Sequence, residues 1–306
     1  MRHYKTLKDV KLSHSWVTIG AFDGVHLGHQ QIIHQLVSQA HQAKHPAVVV
    51  TFHPHPALVL SGKTFPIYLT TPAHRAELLE HLGVDIVITY PFTSKTANLT
   101  AEEFIARLNE HLNMQQLWVG YDFAMGKDRK GTSQNLSRLG EKQGYILKQI
   151  APFYQEEQII SSSWIRELLA EGKAERAADL LGRPHQITGK VVTGDKRGKN
   201  LGFATSNLDI PPTMAELHSG VYACYVWVDG ERRSAVTNVG VRPTFEEKPV
   251  PPRVETHILG FSGTLYGLPL VVEFIAFLRA ERKFANIAAL KTQIARDIDK
   301  ARQILS

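Results

Sequence analysis

Between Trp16 and Ala40 the chain changes its period within a few residues, and that change limits what can surround it. Trp16 to Ile19 is a β-branched and aromatic run with the make-up of a buried strand. Gly20-Ala21-Phe22-Asp23-Gly24-Val25-His26-Leu27-Gly28-His29 follows, after which Ile32, Ile33, Leu36, Val37 and Ala40 recur at helical spacing. A helix starting near Gly28 would aim its free N–H groups and the positive end of its dipole at the turn, which suits a polyphosphate. His26 and His29 stand three apart, so both imidazoles can face one bound group as donors, and Gly24 and Gly28 leave room for ligand to approach backbone. The plain alternative is a turn with two surface histidines, in a chain that has 15.

The longer pattern G-x-F-D-G-V-H-x-G-H, directly behind a strand, resembles the phosphate-binding turn of the nucleotidyltransferase superfamily. Its members move a nucleoside monophosphate from a triphosphate onto a phosphate or carboxylate.

Downstream, strand and helix patterns alternate. Ala47 to Phe52 reads as a buried strand ending in His53-Pro54-His55-Pro56, where two imidazoles are held at the carboxyl end, the edge at which open parallel sheets bind ligands. A rigid loop with incidental histidines is the competing reading, favoured for His53. A helix over 73–82 and a strand over 84–90 repeat the alternation. Thr100 and Glu103 then form a capping box ahead of Phe104, Ile105, Leu108 and Leu112. A strand over 117–120 leads into the Asp122 loop with its basic run Lys127 to Lys130; a helix over 134–143 and a strand over 145–150 follow. This pattern predicts a Rossmann-like α/β domain with a parallel sheet covered on both faces. Ile160-Ser161-Ser162-Ser163-Trp164-Ile165-Arg166 opens another helix. Its serines can cap that helix or bond phosphate oxygens, and Arg166 can fork onto a phosphate.

With 306 residues the chain predicts two domains, and the texture changes after Gly182-Arg183-Pro184. The expected domains are therefore 1–182 and 183–306. Strands over 187–193, 221–228, 233–239, 254–259 and 269–278 follow without intervening helices, the second and third joined by the turn signal Asp229-Gly230. An antiparallel sheet or small closed barrel is expected, with a terminal helix capped by Asn286 and carrying Ile287, Leu290, Ile294, Ile298 and Ala301 on one face. The loop from Gly194 to Asn207 combines Lys196, Arg197, Gly198 and Lys199 with Thr205 and Asn207. Two apart in extended chain, Thr205 and Asn207 can present oxygens together to Mg²⁺ and its phosphates; an ordinary polar strand edge is the alternative. Glu255 stands in an apolar strand, where a carboxylate is either a general base for a hydroxyl or half of a buried ion pair.

In a chain of net charge +6 the densest basic runs lie in two glycine-bearing loops rather than along a helix face, where compact phosphorylated ligands account for them as well as a duplex would and solvated loop charge is the plain alternative; no nucleic-acid partner is expected. A single cysteine, Cys224, excludes an internal disulfide and a cysteine-rich zinc site, and points to a reducing, cytoplasmic setting. No leader or apolar span long enough for a bilayer is read from the sequence, so no membrane association is expected.

Taken together, the Gly20 to His29 turn, His53 to Pro56, Val119 to Gly131, Ile160 to Arg166, Arg197 to Asn207, Asn238 to Phe245, Val254 to Leu259 and Leu278 to Phe284 resemble, in order and spacing, the prokaryotic bifunctional riboflavin kinase/FAD synthetase family. That resemblance implies a nucleotidyltransferase domain that adenylylates FMN and a carboxy-terminal riboflavin-kinase-type β-barrel. ATP, riboflavin, FMN and FAD would be substrates or products, with Mg²⁺ as the cofactor. It assigns Gly20, Phe22, Asp23 and Gly24 to the nucleotide turn, His26 and His29 to the ATP phosphates, and His55 and Asp122 to the nucleotide and flavin site. Ser162, Ser163 and Arg166 would hold the departing pyrophosphate. In the second half it assigns Arg197, Gly198, Thr205 and Asn207 to Mg²⁺-ATP and Glu255 to activation of the riboflavin hydroxyl. Two departures stand out: Ala204-Thr205-Ser206-Asn207 lacks the usual leading proline, which makes that loop less rigid, and Ser161-Ser162-Ser163 ends in serine rather than threonine. Both keep their oxygen-bearing groups.

Overall fold

A computed structural model describes residues 1–194, 203–228, 230–240 and 253–306. The chain divides into two compact units, Met1–Thr64 with Thr70–Ser161, and Phe65–Leu69 with Ser162–Ser306.

The first unit is a six-stranded parallel sheet. Its strands are β1 (Arg2–Tyr4), β2 (Ser15–Ile19), β3 (Ala47–His53), β4 (Ile86–Pro91), β5 (Met114–Gly120) and β6 (Ile146–Ile150), in the spatial order β1-β4-β3-β2-β5-β6. Its longer helices are α1 (Leu27–Gln42), α2 (Pro56–Ser61), α3 (Pro72–His81), α4 (Ala101–Leu112) and α5 (Ser133–Gln143). The period-two alternation of the strands divides the core. Val48, Val50, Ile86 and Ile88 pack with Phe104, Ile105, Leu108 and Leu112 of α4, whereas Val49 and Val87 pack with Ile33 of α1 and Ala76 and Leu79 of α3. Both faces are thus covered, as the near-continuous apolar runs require. The chain runs from β2 outward through β3 to β4, then returns to place β5 on the other side of β2. Strand order therefore reverses at β2, and ligands gather outside the carboxyl ends at such a switch point. The capping box at Thr100 is present, with Glu103 N–H donating to Thr100 Oγ1 at 3.2 Å and Thr100 N–H to Glu103 Oε2 at 2.8 Å.

The second unit holds α6 (Ser162–Ala170), α7 (Ala174–Leu181), a closed antiparallel barrel and the terminal helix α8 (Ile287–Leu305). The barrel strands are β7 (His185–Val192), β8 (Ser206–Asp209), β9 (Gly220–Val228), β10 (Glu231–Gly240), β11 (Arg253–Ile258) and β12 (Pro269–Ala280), ordered β7-β8-β11-β10-β9-β12. Helix α7 packs on β12 and β7 and buries Ala177, Leu180 and Leu181, so packing attaches 162–182 to the barrel, ahead of the expected boundary at 182/183. The segment Phe65–Leu69 joins it too: Ile67 and Tyr68 N–H both donate to Thr213 O, at 2.8 and 2.9 Å. The β9–β10 hairpin pairs Val228 with Glu231, and Gly230 takes φ 78° in its turn. Asp229, the other residue of that turn signal, lies outside the described residues. Asn286 caps α8, accepting from Ala289 N–H at 2.9 Å. Along α8 only the later part of the apolar stripe closes the core, through Ile298, Ala301 and Leu305, while Ile287 is 64% exposed. Among the described residues no helix is long and apolar enough to cross a membrane.

Candidate active sites

In the first unit the turn between β2 and α1 is built around His26. Its Nδ1 accepts the His29 N–H at 3.3 Å, making His26 the N-cap of α1. An accepting Nδ1 puts the proton of the neutral ring on Nε2. The His26 and His29 rings stack with centroids 3.7 Å apart, and Phe22 meets His29 edge-on at 5.1 Å. Gly28 allows that stack, because a Cβ there would lie 3.2 Å from the His26 ring. His29 is partly exposed, yet its Nδ1 is sealed from solvent with no hydrogen-bond partner. Burial, the neighbouring His26 and the Arg75 guanidinium, in that order, hold its pKa well below the ordinary imidazole value. His29 is therefore neutral at physiological pH.

Other candidates of this unit stand at the carboxyl ends of neighbouring strands. His55 follows β3, and its Nδ1 accepts from Ala57 N–H at 3.2 Å, capping α2. Exposed Asp122 follows β5, with its carbonyl accepting from Arg129 Nη2 at 3.4 Å. Gly20, Phe22, Asp23 and Gly24 line the turn itself, but Asp23 is only 1% exposed, and its Oδ1 accepts from Thr70 and from Arg75. Asp23 therefore braces the turn. Arg75, fully buried on α3, is absent from the sequence-based candidates; its signal was a cation inside the apolar face of a helix that packs on the sheet.

Ser162, Ser163 and Arg166 lie on α6 of the second unit. Arg166 Nε donates to Ile67 O at 2.7 Å and Nη1 to Ser163 Oγ at 3.3 Å, which fixes the direction of the guanidinium.

Two of the clefts on the barrel share Thr205. One, of about 620 Å³, is lined by Thr205, Asn238, Glu255, His257, Phe284 and Leu290 among others. The other, of about 400 Å³, is lined by Thr205, Asn207, Thr256, Gly263 and Tyr266 among others. In the β8–β11–β10 register Asn207 stands opposite Glu255 and Glu255 opposite Asn238, so three polar residues lie abreast on adjoining strands. Along β11, Val254, Thr256 and Ile258 are buried while Arg253, Glu255 and His257 are partly exposed. Glu255 is ion-paired with Arg253 two residues away on the same face. His257 Nδ1 lies 2.7 Å from Ala204 O and tethers the loop where the usual proline is missing. Asn238, another residue absent from the candidates, donates through Nδ2 to Glu281 Oε1 at 3.0 Å. Arg197 and Gly198 lie outside the described residues.

Comparison with known proteins matches both halves. A family model for FAD synthetase covers residues 8–164, and one for riboflavin kinase covers residues 181–305. The Bacillus subtilis bifunctional riboflavin kinase/FMN adenylyltransferase is 37% identical over 94% of this chain and 91% of its own. The protein of that name from Pseudomonas fluorescens is 38% identical over 94% of this chain and 92% of its own. Among solved structures, a Streptococcus pneumoniae protein described as a macrolide-efflux protein superposes with a TM-score of 0.86 over 98% of both chains, at 29% identity. With the sheet and turn of one transferase, the barrel of the other and relatives that align nearly end to end, the chain belongs to the bifunctional riboflavin kinase/FMN adenylyltransferase family, and it phosphorylates riboflavin to FMN and adenylylates FMN to FAD.

Proposed function

We propose that each transfer runs on its own set of residues. In the second unit Glu255 takes the proton of the riboflavin 5′-hydroxyl as that oxygen attacks the γ-phosphorus of ATP, giving FMN and ADP. The observation that carries this reading is the register that sets Asn207, Glu255 and Asn238 side by side, with Glu255 on the larger cleft and Asn207 on the smaller. The larger cleft, with Phe284 and Leu290 on its wall, suits the flavin ring.

Mg²⁺ fits the smaller cleft. Thr205 and Asn207 offer neutral oxygens, and among the described residues no group of three or more His, Cys, Asp or Glu could hold a metal. A hard cation held by one or two protein oxygens and the substrate phosphates matches that donor set. Bound there it would neutralise charge on the transferred phosphoryl group. Arg197 and Gly198 keep the nucleotide role that the family resemblance gives them.

In the first unit the FMN phosphate, already anionic at neutral pH, attacks the α-phosphorus of ATP and needs no base; pyrophosphate leaves. The His26 Nε2–H and neutral His29 donate to phosphate oxygens. His55 and Asp122 flank the nucleotide and flavin, and Ser162, Ser163 and Arg166 keep the pyrophosphate role that the family resemblance gives them. The lone Cys224, buried in the barrel, fits a reducing, cytoplasmic setting.

The metal assignment is tested by titrating Mg²⁺ against riboflavin phosphorylation. Asn207→Ala is expected to raise the Mg²⁺ concentration for half-maximal rate by about tenfold or more, while FAD formation from supplied FMN keeps its Mg²⁺ dependence. An unchanged requirement for FMN formation would remove Asn207 from the metal site.

A further inference from the structure

Three of the four residues from Phe22 to Val25 have left-handed backbones: Phe22 at φ 47°, Gly24 at φ 80° and Val25 at φ 43°. Glycine adopts this region freely, whereas a bulky Phe and a β-branched Val persist there only when the surroundings over-determine them. The bracing is a buried polar network. Thr70 donates both its N–H and its hydroxyl to Asp23 Oδ1, at 3.1 and 3.2 Å, and its Oγ1 accepts from Gly24 N–H at 3.1 Å. Arg75 gathers these groups. Its Nη2 donates to Asp23 Oδ1 and Thr70 O, both at 3.3 Å, its Nε to Thr70 Oγ1 at 3.4 Å and its Nη1 to Thr51 Oγ1 at 3.1 Å. Thr51 donates in turn to Ala21 O at 2.8 Å, so the same guanidinium is linked to the turn at both of its ends. Asp23 and Arg75 are 1% and 0% exposed. Neither is placed to meet a substrate.

We propose that Arg75 is a positioning residue for adenylyl transfer: acting through Asp23 and Thr70, it holds the Phe22–Val25 turn in the left-handed conformation that sets His26 and His29 against the nucleotide phosphates. This rests on reading the two histidines as the phosphate-facing pair. A planar fork with five donors in fixed geometry is what such a hub needs; a single ammonium cannot reach Asp23, Thr70 and Thr51 together. Burial is the chief cause of the lowered pKa of both His29 and His53, and the positive charge of Arg75 adds to it. Arg75 therefore favours the neutral imidazole at the site as well as the shape of the turn.

Removing Arg75 alone would strand the Asp23 carboxylate in the interior, so the test uses Asp23→Asn/Arg75→Met, which removes both charges at similar volume, together with Arg75→Lys and Thr70→Val in the full-length protein. For the double variant the kcat of FAD formation from FMN should fall roughly 10- to 100-fold, the scale expected for a misplacement of about 1 Å at a reacting centre. KM for FMN should stay within about threefold and riboflavin phosphorylation should be retained. Arg75→Lys should recover part of the loss. A folded double variant with wild-type kcat would overturn the proposal. If the double variant does not fold, Thr70→Val decides, because it removes the hydroxyl's bonds to Gly24, Asp23 and Arg75 with a near-isosteric side chain and leaves Asp23 only the backbone bond from residue 70: wild-type kcat there would equally overturn it. His29→Gln separates the two levels. If it leaves FAD formation intact, the phosphate-facing assignment fails; if it abolishes FAD formation while the network variants run normally, only the role of Arg75 falls.

Discussion

Glu255 faces a cleft and pairs with Arg253, so two roles compete for one carboxylate. The pair is partly exposed, with side-chain accessibilities of 22% for Glu255 and 36% for Arg253, and such pairs contribute about 0–1 kcal/mol. Removing a general base, by contrast, costs about 10²- to 10⁴-fold in rate. Glu255→Gln should therefore leave the melting temperature and FMN adenylylation near wild type and lower kcat for riboflavin phosphorylation by that factor. Retained kinase turnover together with a large fall in melting temperature would make Glu255 structural. His29 supplies a pH prediction. Its folded-state pKa is depressed, so as pH falls the unfolded chain takes up a proton near the ordinary value of about 6.5 before the folded chain does. The stability it contributes is fully present above that pH and is lost as pH falls below it, by up to about 1.4 kcal/mol per pH unit. Hydrogen exchange of the β2 and β3 amides at pH 7.5, 6.0 and 5.0 should show this slope in wild type and a shallower one in His29→Gln; equal slopes would remove His29 as its source. The turn motif was legible because glycine and histidine spacing is local. Arg75 was not, because Asp23, 52 positions earlier in the chain, meets it only in the folded sheet, although Thr70 is a near neighbour in sequence.

The terminal helix shows how one periodic stripe can serve two purposes. Its spacing predicted an amphipathic helix, and α8 is one, but sequence alone did not show that Leu290 and Ile294 line the larger cleft while Ile298, Ala301 and Leu305 seal the barrel. That division depends on where β12 ends and on what anchors the helix to it. Arg279 of β12 provides the anchor, with Nε 2.9 Å and 3.0 Å from the two Asp297 oxygens and Nη2 2.7 Å from Oδ2. Gln293 adds a bond to Asp297 Oδ1 at 2.7 Å. Asp297 is 5% exposed and the Arg279 side chain 20%, so removing the carboxylate leaves a partly buried guanidinium without its ion partner. Asp297→Ala should cost about 3 kcal/mol in urea unfolding of the barrel and raise KM for riboflavin, since the cleft loses its fixed wall. A variant of wild-type stability would show that the packed face of α8 suffices without the anchor. The strands that the sequence predicted lie within a few residues of those observed, because β-branched runs carry their own signal, but the largely polar barrel strand Ser206–Asp209 was not among them. The short first strand, Arg2–Tyr4, was missed, since three residues with no apolar alternation give no period and its pairing with β4 is set by the sheet.

At the scale of the whole molecule, the change from alternating to purely β texture marked two folds correctly, whereas the place to cut between them depends on packing. Helix α7 buries Leu180 and Leu181, and a fragment starting at Arg183 would expose the barrel surface it covers. We therefore expect a fragment of residues 162–306 to melt higher than one of residues 183–306, with both phosphorylating riboflavin if the kinase site is complete within the barrel. Equal melting temperatures would show that α7 adds nothing to the barrel. The most direct test of two separate sites is a product analysis: full-length protein, His29→Ala and Glu255→Gln, each incubated with riboflavin, ATP and Mg²⁺ and resolved chromatographically into riboflavin, FMN and FAD. Wild type should yield FMN and FAD, His29→Ala should stop at FMN, and Glu255→Gln should form little of either from riboflavin yet convert supplied FMN to FAD. Loss of both activities in either folded variant would contradict the assignment of the two transfers to separate residues.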